Sequence, residues 1–280
     1  MITVDLNCDM GEVEGEAGEQ LDARLMPLIT SANVACGGHA GDLRRLIRTA
    51  ELCRMHNVGF GAHPSWPDRD GFGRRDMDLP ASELRVSLRQ QLQLALQAAN
   101  TVGLPLTHVK PHGALYNTAA NSPALSELLV EVIGETVPGA VVIGLSGCCL
   151  LSRAAAAGLS VCHEVFADRQ YSQTGTLLPR SHPQAVIHCV DTVAARLLSM
   201  LRTRTVLTVE GIRLEVKPET VCVHSDTKES VTLLEAIRRT LSEAGILVRR
   251  RATIETGTPH ATHGEQDVAS DRTRKDSAGP

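Results

Sequence analysis

Titratable side chains collect at the downstream ends of short apolar runs in this sequence. Two carboxylic acids, Asp9 and Glu12, follow the first run. Four histidines, each at the end of a different run, are His39, His63, His112 and His224. Neutral imidazoles and carboxylates on one face can act as general acids and bases, or can ligate a divalent metal. The residues alone leave both possibilities open.

The candidate residues fall into three groups. The predicted catalytic residues are Asp9, Glu12, His39, His63, Lys110 and His112. The predicted substrate-binding residues are Asn7, Asn33, Asp42, Arg74, Glu164, Asp168, Arg169, Arg180, His224 and Asp226. No metal is assigned, but if one is bound, the expected ligands are Asp5, Asp9, His39 and His63.

Lys110 lies inside the apolar run LTHVKPH, where a charge is costly unless it is paired. The sequence therefore predicts a carboxylate partner from the protein or the substrate. A buried Lys–Asp pair that only organises the fold is the alternative. Strand alternation places His108, Lys110 and His112 on the same side. His112, at the strand end, is better placed for chemistry than His108.

The loop around His39 is rich in glycine, with Gly37, Gly38 and Gly41. Such a loop can adopt positive φ and expose backbone N–H groups to an anion. It matches neither the phosphate-loop spacing nor the dinucleotide fingerprint. We therefore predict that any ATP is bound in another way or by another chain.

Seven apolar runs are candidate strands, and most are separated by helical patterns. The runs are 2–6, 29–36, 58–63, 106–112, 140–146, 159–166 and 220–225. The clearest helical segments are 43–56, 80–103, 122–136 and 151–157. This alternation predicts a parallel β/α barrel, whose active site forms at the C-terminal ends of the strands. The segment 205–216 instead predicts a hairpin turning at Glu210-Gly211.

Composition limits the class of protein. Hydrophobic residues make up 42% of the 280 residues and aromatic residues 2%, so one large domain with an Ala, Val, Leu and Ile core is expected. The net charge of -4 argues against a nucleic-acid partner. There is neither a signal-peptide pattern nor an apolar run of about 20 residues. We expect a cytoplasmic protein without a membrane partner.

Two further expectations concern the thiols and the C-terminal segment. The eight cysteines form no C-x-x-C pair and are expected to be reduced and mostly buried, although Cys8 and Cys36 lie within polar motifs. Apolar periodicity is lost near residue 251. The prediction is a catalytic barrel over 1–250 and a disordered tail over 251–280.

Several of these motifs resemble the LamB/YcsF family, whose members are associated with the A subunit of 5-oxoprolinase. The similar segments are VDLNCDMGE (4–12), SANVACGGHAGD (31–42), GAHPSWPDRDGFGRR (61–75), HVKPHGALYN (108–117), EVFADRQY (164–171), LLPRSHPQAVI (177–187) and VCVHSDT (221–227). They occur in family order and span about the first 245 residues. Gly38 and Ser225 depart from the usual Phe and Gly, and we expect these departures to affect substrate fit more than reaction class.

The resemblance implies a seven-stranded β/α barrel similar to the glycoside hydrolase/deacetylase superfamily. It also implies an enzyme that opens 5-oxo-L-proline to L-glutamate with ATP hydrolysis. Two further subunits, B and C, are the implied partners. ATP, accompanied by Mg²⁺, would be used by the complex.

The implied reaction suggests roles for several residues. Phosphorylation of the amide oxygen would precede attack by water, with Asp9 or Glu12 as base. His39 and His63 would stabilise developing charge, and Lys110 or Arg169 would hold the substrate carboxylate. One rival is a metal-dependent amidase or deacetylase. The other is a non-catalytic protein that binds a small carboxylate.

Overall fold

A computed structural model describes residues 1–223 and 229–250 and contains a closed parallel barrel. The strands are β1 (Thr3–Met10), β2 (Ser31–Ala35), β3 (Gly59–His63), β4 (Leu106–Val109), β5 (Val141–Leu145), β6 (Val161–Phe166), β7 (Thr205–Leu207), β8 (Arg213–Glu215), β9 (Thr220–Val223) and β10 (Leu247–Val248). Strands β1 to β6 pair in chain order, and β9 closes the barrel between β6 and β1. The predicted seven-stranded parallel barrel is confirmed. Short β10 extends the sheet beside the start of β1.

Helices connect most of the barrel strands. They are α1 (Gly15–Leu25), α2 (Leu43–His56), α3 (Ala81–Val102), α4 (Gly113–Ala119), α5 (Pro123–Thr136), α6 (Cys149–Ala156), α7 (Val190–Thr203) and α8 (Ser230–Glu243). The sequence singles out α2, α3, α5 and α6. Ser122 caps α5 by accepting a hydrogen bond from the backbone N–H of Leu125, and Pro123 follows at the first helical position. Gly103 ends α3 with a left-handed φ of 73°.

Strand β4 ends at Val109, three residues before the predicted end. Pro111 has no backbone N–H and cannot continue a ladder. The chain nevertheless stays beside its neighbour, because the N–H groups of Lys110 and His112 donate to the carbonyl oxygens of Ala62 and Pro64. The side chains after β4 are therefore held in place.

The predicted hairpin is confirmed as the antiparallel pair β7–β8, in which Thr205 lies opposite Glu215. Gly211, in the turn between β7 and β8, has a φ of 80°. The predicted tail over 251–280, and the end of the last predicted strand, fall outside the described residues.

The core between barrel and helices is mostly aliphatic, as expected from composition. Leu88 and Leu92 of α3 and Val34 of β2 are among its fully buried members. Burying one such side chain contributes about 1.5–3 kcal/mol. All eight cysteines are free thiols, and six are buried, including Cys8 and Cys36. Among the described residues, no helix combines the length and apolarity needed to cross a membrane.

Candidate active site

Polar side chains fill the barrel lumen in two layers. The deeper layer, here called the lumen network, consists of Asp5, Asn7, Asp9, Asn33, His108, Lys110, Glu164 and Thr220. The layer at the C-terminal ends of the strands, here called the histidine cluster, consists of Glu12, His39, His63 and His112. All twelve residues are buried.

Asp5, Asn7 and Asp9 face the lumen because alternate residues of β1 point to the same side. The Asp5 carboxylate accepts hydrogen bonds from the hydroxyls of Thr30 and Ser31, each at 2.7 Å, and from Thr220. Burial raises the pKa of Asp5, although these hydroxyls oppose the shift. Asp5 thus belongs to the lumen network and lies outside the histidine cluster, in contrast to its expected place among metal ligands.

Asn7 connects the lumen network across the barrel. Its Nδ2 donates to Glu164 Oε1 at 2.8 Å and to Thr220 Oγ1 at 2.7 Å. Its Oδ1 accepts from Asn33 Nδ2 at 2.7 Å and from Lys110 Nζ at 3.2 Å. The amide therefore uses both its donor and its acceptor capacity inside the lumen.

Lys110 has the carboxylate partners that the sequence predicts. Its Nζ lies 3.0 Å from Asp9 Oδ1, 3.0 Å from Glu164 Oε1 and 3.1 Å from Cys222 Sγ. Burial opposes the charge on the ammonium, but the neighbouring acidic groups outweigh burial and raise the pKa of Lys110. Its charge thus has protein partners in the lumen.

The histidine cluster places four donor atoms within 4.8 Å of one another. Glu12 Oε1 lies 3.1 Å from His39 Nε2, 3.3 Å from His112 Nδ1 and 4.0 Å from His63 Nε2. The rings of His39 and His112 stack with centroids 3.7 Å apart. Burial, followed by the neighbouring imidazoles, lowers the pKa of both His39 and His112. Both rings are therefore neutral near pH 7.

Backbone carbonyls fix the orientation of two of these rings. His63 Nδ1 lies 2.6 Å from the carbonyl oxygen of Lys110, and His112 Nε2 lies 2.9 Å from that of Phe72. A carbonyl oxygen only accepts, so each of these nitrogens is the donor. When each ring carries a single proton, His63 Nε2 and His112 Nδ1 therefore carry lone pairs, and these two nitrogens face each other at 3.0 Å.

The loop PDRDGFGRR (67–75) covers the histidine cluster. Asp68 closes it by accepting from the Gly71 N–H at 2.9 Å and from Arg75 Nε at 3.1 Å. Phe72 stands with a left-handed φ of 55°, and its ring meets His39 edge-on at 5.3 Å. A Cβ on Gly73 would come within 2.9 Å of His112 Cδ2, so glycine permits the close approach.

A cleft of about 490 Å³ opens beside the histidine cluster. Glu12, His63 and His112 form part of its wall, and Arg74 and Arg180 line it as well. A larger cavity of about 860 Å³ lies beside Met1 and Arg250 and contains none of the clustered histidines. The smaller cleft is therefore the candidate active site.

Several predicted binding residues have structural partners. Asp42 caps α2, accepting from the Arg45 N–H at 2.7 Å. Arg169, expected to hold a substrate carboxylate, donates to the carbonyl oxygens of Leu178 at 2.6 Å and Ala185 at 3.2 Å. Asp168 is buried beside it.

The remaining predicted residues fall into two groups, those in the lumen network and those outside the described part of the chain. Asn7, Asn33, Asp9, Lys110 and Glu164 lie together in the lumen network. The predicted binding residues His224 and Asp226 lie outside the described residues.

The glycine loop around His39 is closed on itself. The Gly37 N–H donates to the Ala40 carbonyl at 2.8 Å, so it is not available to an anion as expected. A Cβ on Gly38 would lie 2.4 Å from both Gln91 Oε1 and Ser65 Oγ. Space thus favours glycine at position 38, and Phe72 supplies an aromatic wall beside His39.

Four residues near the site were missed by sequence reasoning. Tyr116 Oη donates to Glu164 Oε2 at 2.7 Å. Thr220 accepts a hydrogen bond from Asn7, and Cys222 Sγ lies 3.1 Å from Lys110 Nζ. The carbonyl oxygen of Phe72 accepts a hydrogen bond from His112. Alternation back from His224 along β9 could have indicated Thr220 and Cys222. Tyr116 follows the Lys110–Gly113 motif by about one helical turn, and this spacing could have indicated that Tyr116 lies near the site.

Comparison with known proteins identifies the family of this barrel. The LamB/YcsF family model matches residues 4–256. The chain belongs to the LamB/YcsF family. A family relative from Syntrophobacter fumaroxidans, named as the A subunit of 5-oxoprolinase, is 42% identical over 244 residues, covering 87% of this chain and 96% of that protein. A relative of the same name from Thermococcus sibiricus is 42% identical over 245 residues, covering 88% and 96%.

A solved structure shows the same architecture. The crystal structure of a lactam utilization protein from Thermus thermophilus aligns with a TM-score of 0.81 at 35% identity. The alignment covers 89% of this chain and 99% of that chain. The barrel and its loops are thus a family architecture over nearly the whole described chain.

Proposed function

We propose that the chain is the A subunit of a 5-oxoprolinase, a hydrolase that opens the cyclic amide of 5-oxo-L-proline to give L-glutamate. The observation that carries the proposal is the cleft in which a carboxylate–histidine cluster lies beside two arginines. The names of the relatives support the same activity. Subunits B and C are the proposed partners.

Arg74 and Arg180 are the proposed ligands for the substrate carboxylate, because both line the cleft beside the histidine cluster. A guanidinium can hold a carboxylate through two parallel hydrogen bonds. Lys110 is already neutralised by Asp9 in the lumen, and Arg169 is held by loop carbonyls. We assign the base to Glu12, because Asp9 Oδ1 accepts from two lumen donors.

The proposed reaction couples ring opening to ATP. The γ-phosphoryl group of ATP, with its Mg²⁺, is transferred to the amide oxygen, giving ADP. Water then adds to the activated carbon, and Glu12 accepts its proton. The C–N bond breaks as the ring nitrogen takes up a proton, and a second water releases phosphate from the acyl phosphate. We place ATP on a partner chain, since this sequence lacks a phosphate loop.

Glutamate release from 5-oxoproline tests the proposal. The purified chain is assayed alone and with subunits B and C, with and without ATP and magnesium. Release that requires both ATP and the partners is the expected result. No release from a complete mixture that is active with a relative's A subunit would contradict it.

Replacing an arginine tests substrate binding within the same assay. Arg180→Gln should raise KM for 5-oxoproline at least tenfold, whereas the surface variant Arg89→Gln should leave it unchanged, since Arg89 pairs with Glu135 outside the cleft. Equal KM values in the two variants would place the carboxylate elsewhere.

The metal-dependent amidase has one observation in its favour, the four-donor histidine cluster. It predicts amide hydrolysis without ATP, and the ATP-free arm of the same assay would detect that activity.

A further inference from the structure

We propose that Glu12, His39, His63 and His112 bind one divalent metal ion of the zinc class. The spacing of their donor atoms is the first argument. Zinc–ligand bonds of about 2.0–2.1 Å in a tetrahedral site separate the ligands by about 3.3 Å. The separations from Glu12 Oε1 to the three imidazoles are 3.1, 3.3 and 4.0 Å, and His63 and His112 are 3.0 Å apart.

The second argument is the direction of the ring hydrogens. The outer nitrogens of His63 and His112 donate to carbonyl oxygens, so their inner lone pairs point at each other across 3.0 Å. With one proton on each ring, such a contact is repulsive unless a cation lies between the two nitrogens. Histidine ligands commonly donate their second ring N–H to a carbonyl or carboxylate, which fixes the ring for the metal. The Lys110 and Phe72 carbonyls fill this role.

The remaining donors complete a mixed nitrogen and oxygen set. His39 Nε2 lies 3.1 Å from Glu12 Oε1 and donates to it when no ion is bound, whereas His39 Nδ1 has no hydrogen-bond partner within the described residues. The ring proton can therefore move to Nδ1, which leaves the Nε2 lone pair for the metal. Glu12 contributes negative charge, and Asp9 Oδ1 lies 3.5 Å from His63 Nε2. Three imidazoles with one carboxylate suit zinc and its neighbours better than magnesium or calcium, which prefer oxygen ligands.

This ligand set differs from the one expected from sequence. Glu12 and His112 take the places of Asp5 and Asp9, because Asp5 is held by hydroxyls in the lumen network and Asp9 is paired with Lys110. Glu12, His63 and His112 also line the cleft. If the proposed function holds, the ion would supply Lewis-acid polarisation of the lactam carbonyl. Glu12 would then bind the ion through Oε1, and its second carboxylate oxygen would accept the proton of the water.

Metal binding by the full-length protein, without substrate or ATP, tests the site. After chelator treatment and gel filtration, the protein is titrated with Zn²⁺ by calorimetry and with Co²⁺ by visible absorption. The wild type should bind one ion, with the Co²⁺ spectrum of a four-coordinate site. Glu12→Gln and His112→Gln should each weaken binding of that ion at least 100-fold.

His108→Gln is the matched control. This substitution removes a buried histidine of the lumen network, whose ring contacts Asn33 and Thr107. All four proposed metal ligands are kept. Circular dichroism confirms that each variant is folded. Failure of the wild type to bind one ion, or equal affinities in all variants, would overturn the proposal.

The metal site and the proposed reaction can fail separately. One bound ion without glutamate release would retain the metal site and remove the oxoprolinase function. Glutamate release from protein that binds no ion would do the reverse, and a proton between His63 and His112 would then replace the metal.

Discussion

The lumen network and the histidine cluster lie in the same barrel, but their polar groups are matched in different ways. In the lumen network, donors meet acceptors: Lys110 lies between Asp9 and Glu164, and Asn7 both donates and accepts. In the histidine cluster, the acceptors of His63 and His112 face each other. The first arrangement stabilises the fold by itself. The second is balanced only when a cation or a proton lies between the two nitrogens, and the proposed metal ion would meet this need.

The largest expected effect separates the two regions through stability. Lys110→Met leaves Asp9 and Glu164 buried without their common cation, so the free energy of unfolding should fall by about 3–5 kcal/mol. Urea denaturation measures this change. Arg48→Met is the control, because its exposed pair with Glu51 is worth at most about 1 kcal/mol. A similar small loss in both variants would remove the distinction.

In the histidine cluster, the effect should appear in activity instead. His39→Gln should lower kcat/KM for glutamate release about 100-fold, equivalent to about 2.7 kcal/mol. Its free energy of unfolding in chelator should change by less than about 1 kcal/mol. The exposed His56→Gln provides the control. A His39 variant with a much lower free energy of unfolding but a normal kcat would place His39 in the scaffold.

Tyr116 sharpens the boundary between the regions because it lines the cleft yet donates to the lumen network. Tyr116→Phe removes a donor to the buried Glu164, so unfolding should become easier by about 2 kcal/mol. Denaturation and steady-state kinetics on the same sample decide its role. A stable protein with a much lower kcat would instead place the Tyr116 hydroxyl in the reaction.

The last effect is confined to acidic pH and is absent near pH 7. Burial, and then the nearby Lys110 charge, lowers the pKa of His108 to about 3 from its ordinary 6.5. A depressed pKa means that the stabilising contribution is complete above about pH 6.5 and is lost as the pH falls toward 3. The slope reaches about 1.4 kcal/mol per pH unit for one histidine. Denaturation between pH 7 and 4 should show a shallower slope for His108→Gln, and identical slopes would contradict the assignment.

The barrel was predictable from sequence because strand and helix patterns alternate along the chain. The carboxylate partners of Lys110 were predictable in kind, since a buried ammonium needs an opposite charge. The particular partners were not, because Asp9 and Glu164 are far apart in the chain, on β1 and β6, and meet only when the barrel closes.

The separate roles of the histidines could not be assigned from the sequence and became clear only from the structure. His39, His63 and His112 each occur at the end of an apolar run, and so the sequence indicates them equally. Only the hydrogen bonds to Lys110 and Phe72 reveal which nitrogens face inward. Likewise, the sequence gives no sign that the Arg169 guanidinium is bound to loop carbonyls, because those carbonyls belong to residues that only the folded loop brings to it.

The two-way hydrogen bonding of Asn7 has a consequence for how this sequence can change. An aspartate at position 7 would bring like charges toward Glu164, and a leucine would leave Glu164, Asn33 and Lys110 short of partners. Substitutions there are tolerated only if several other lumen positions change together. The two arginines that line the cleft, Arg74 and Arg180, are not members of the lumen network as defined above. New substrate preferences in this barrel are therefore expected to arise from substitutions at the cleft rim, while the residues of the lumen network change only together.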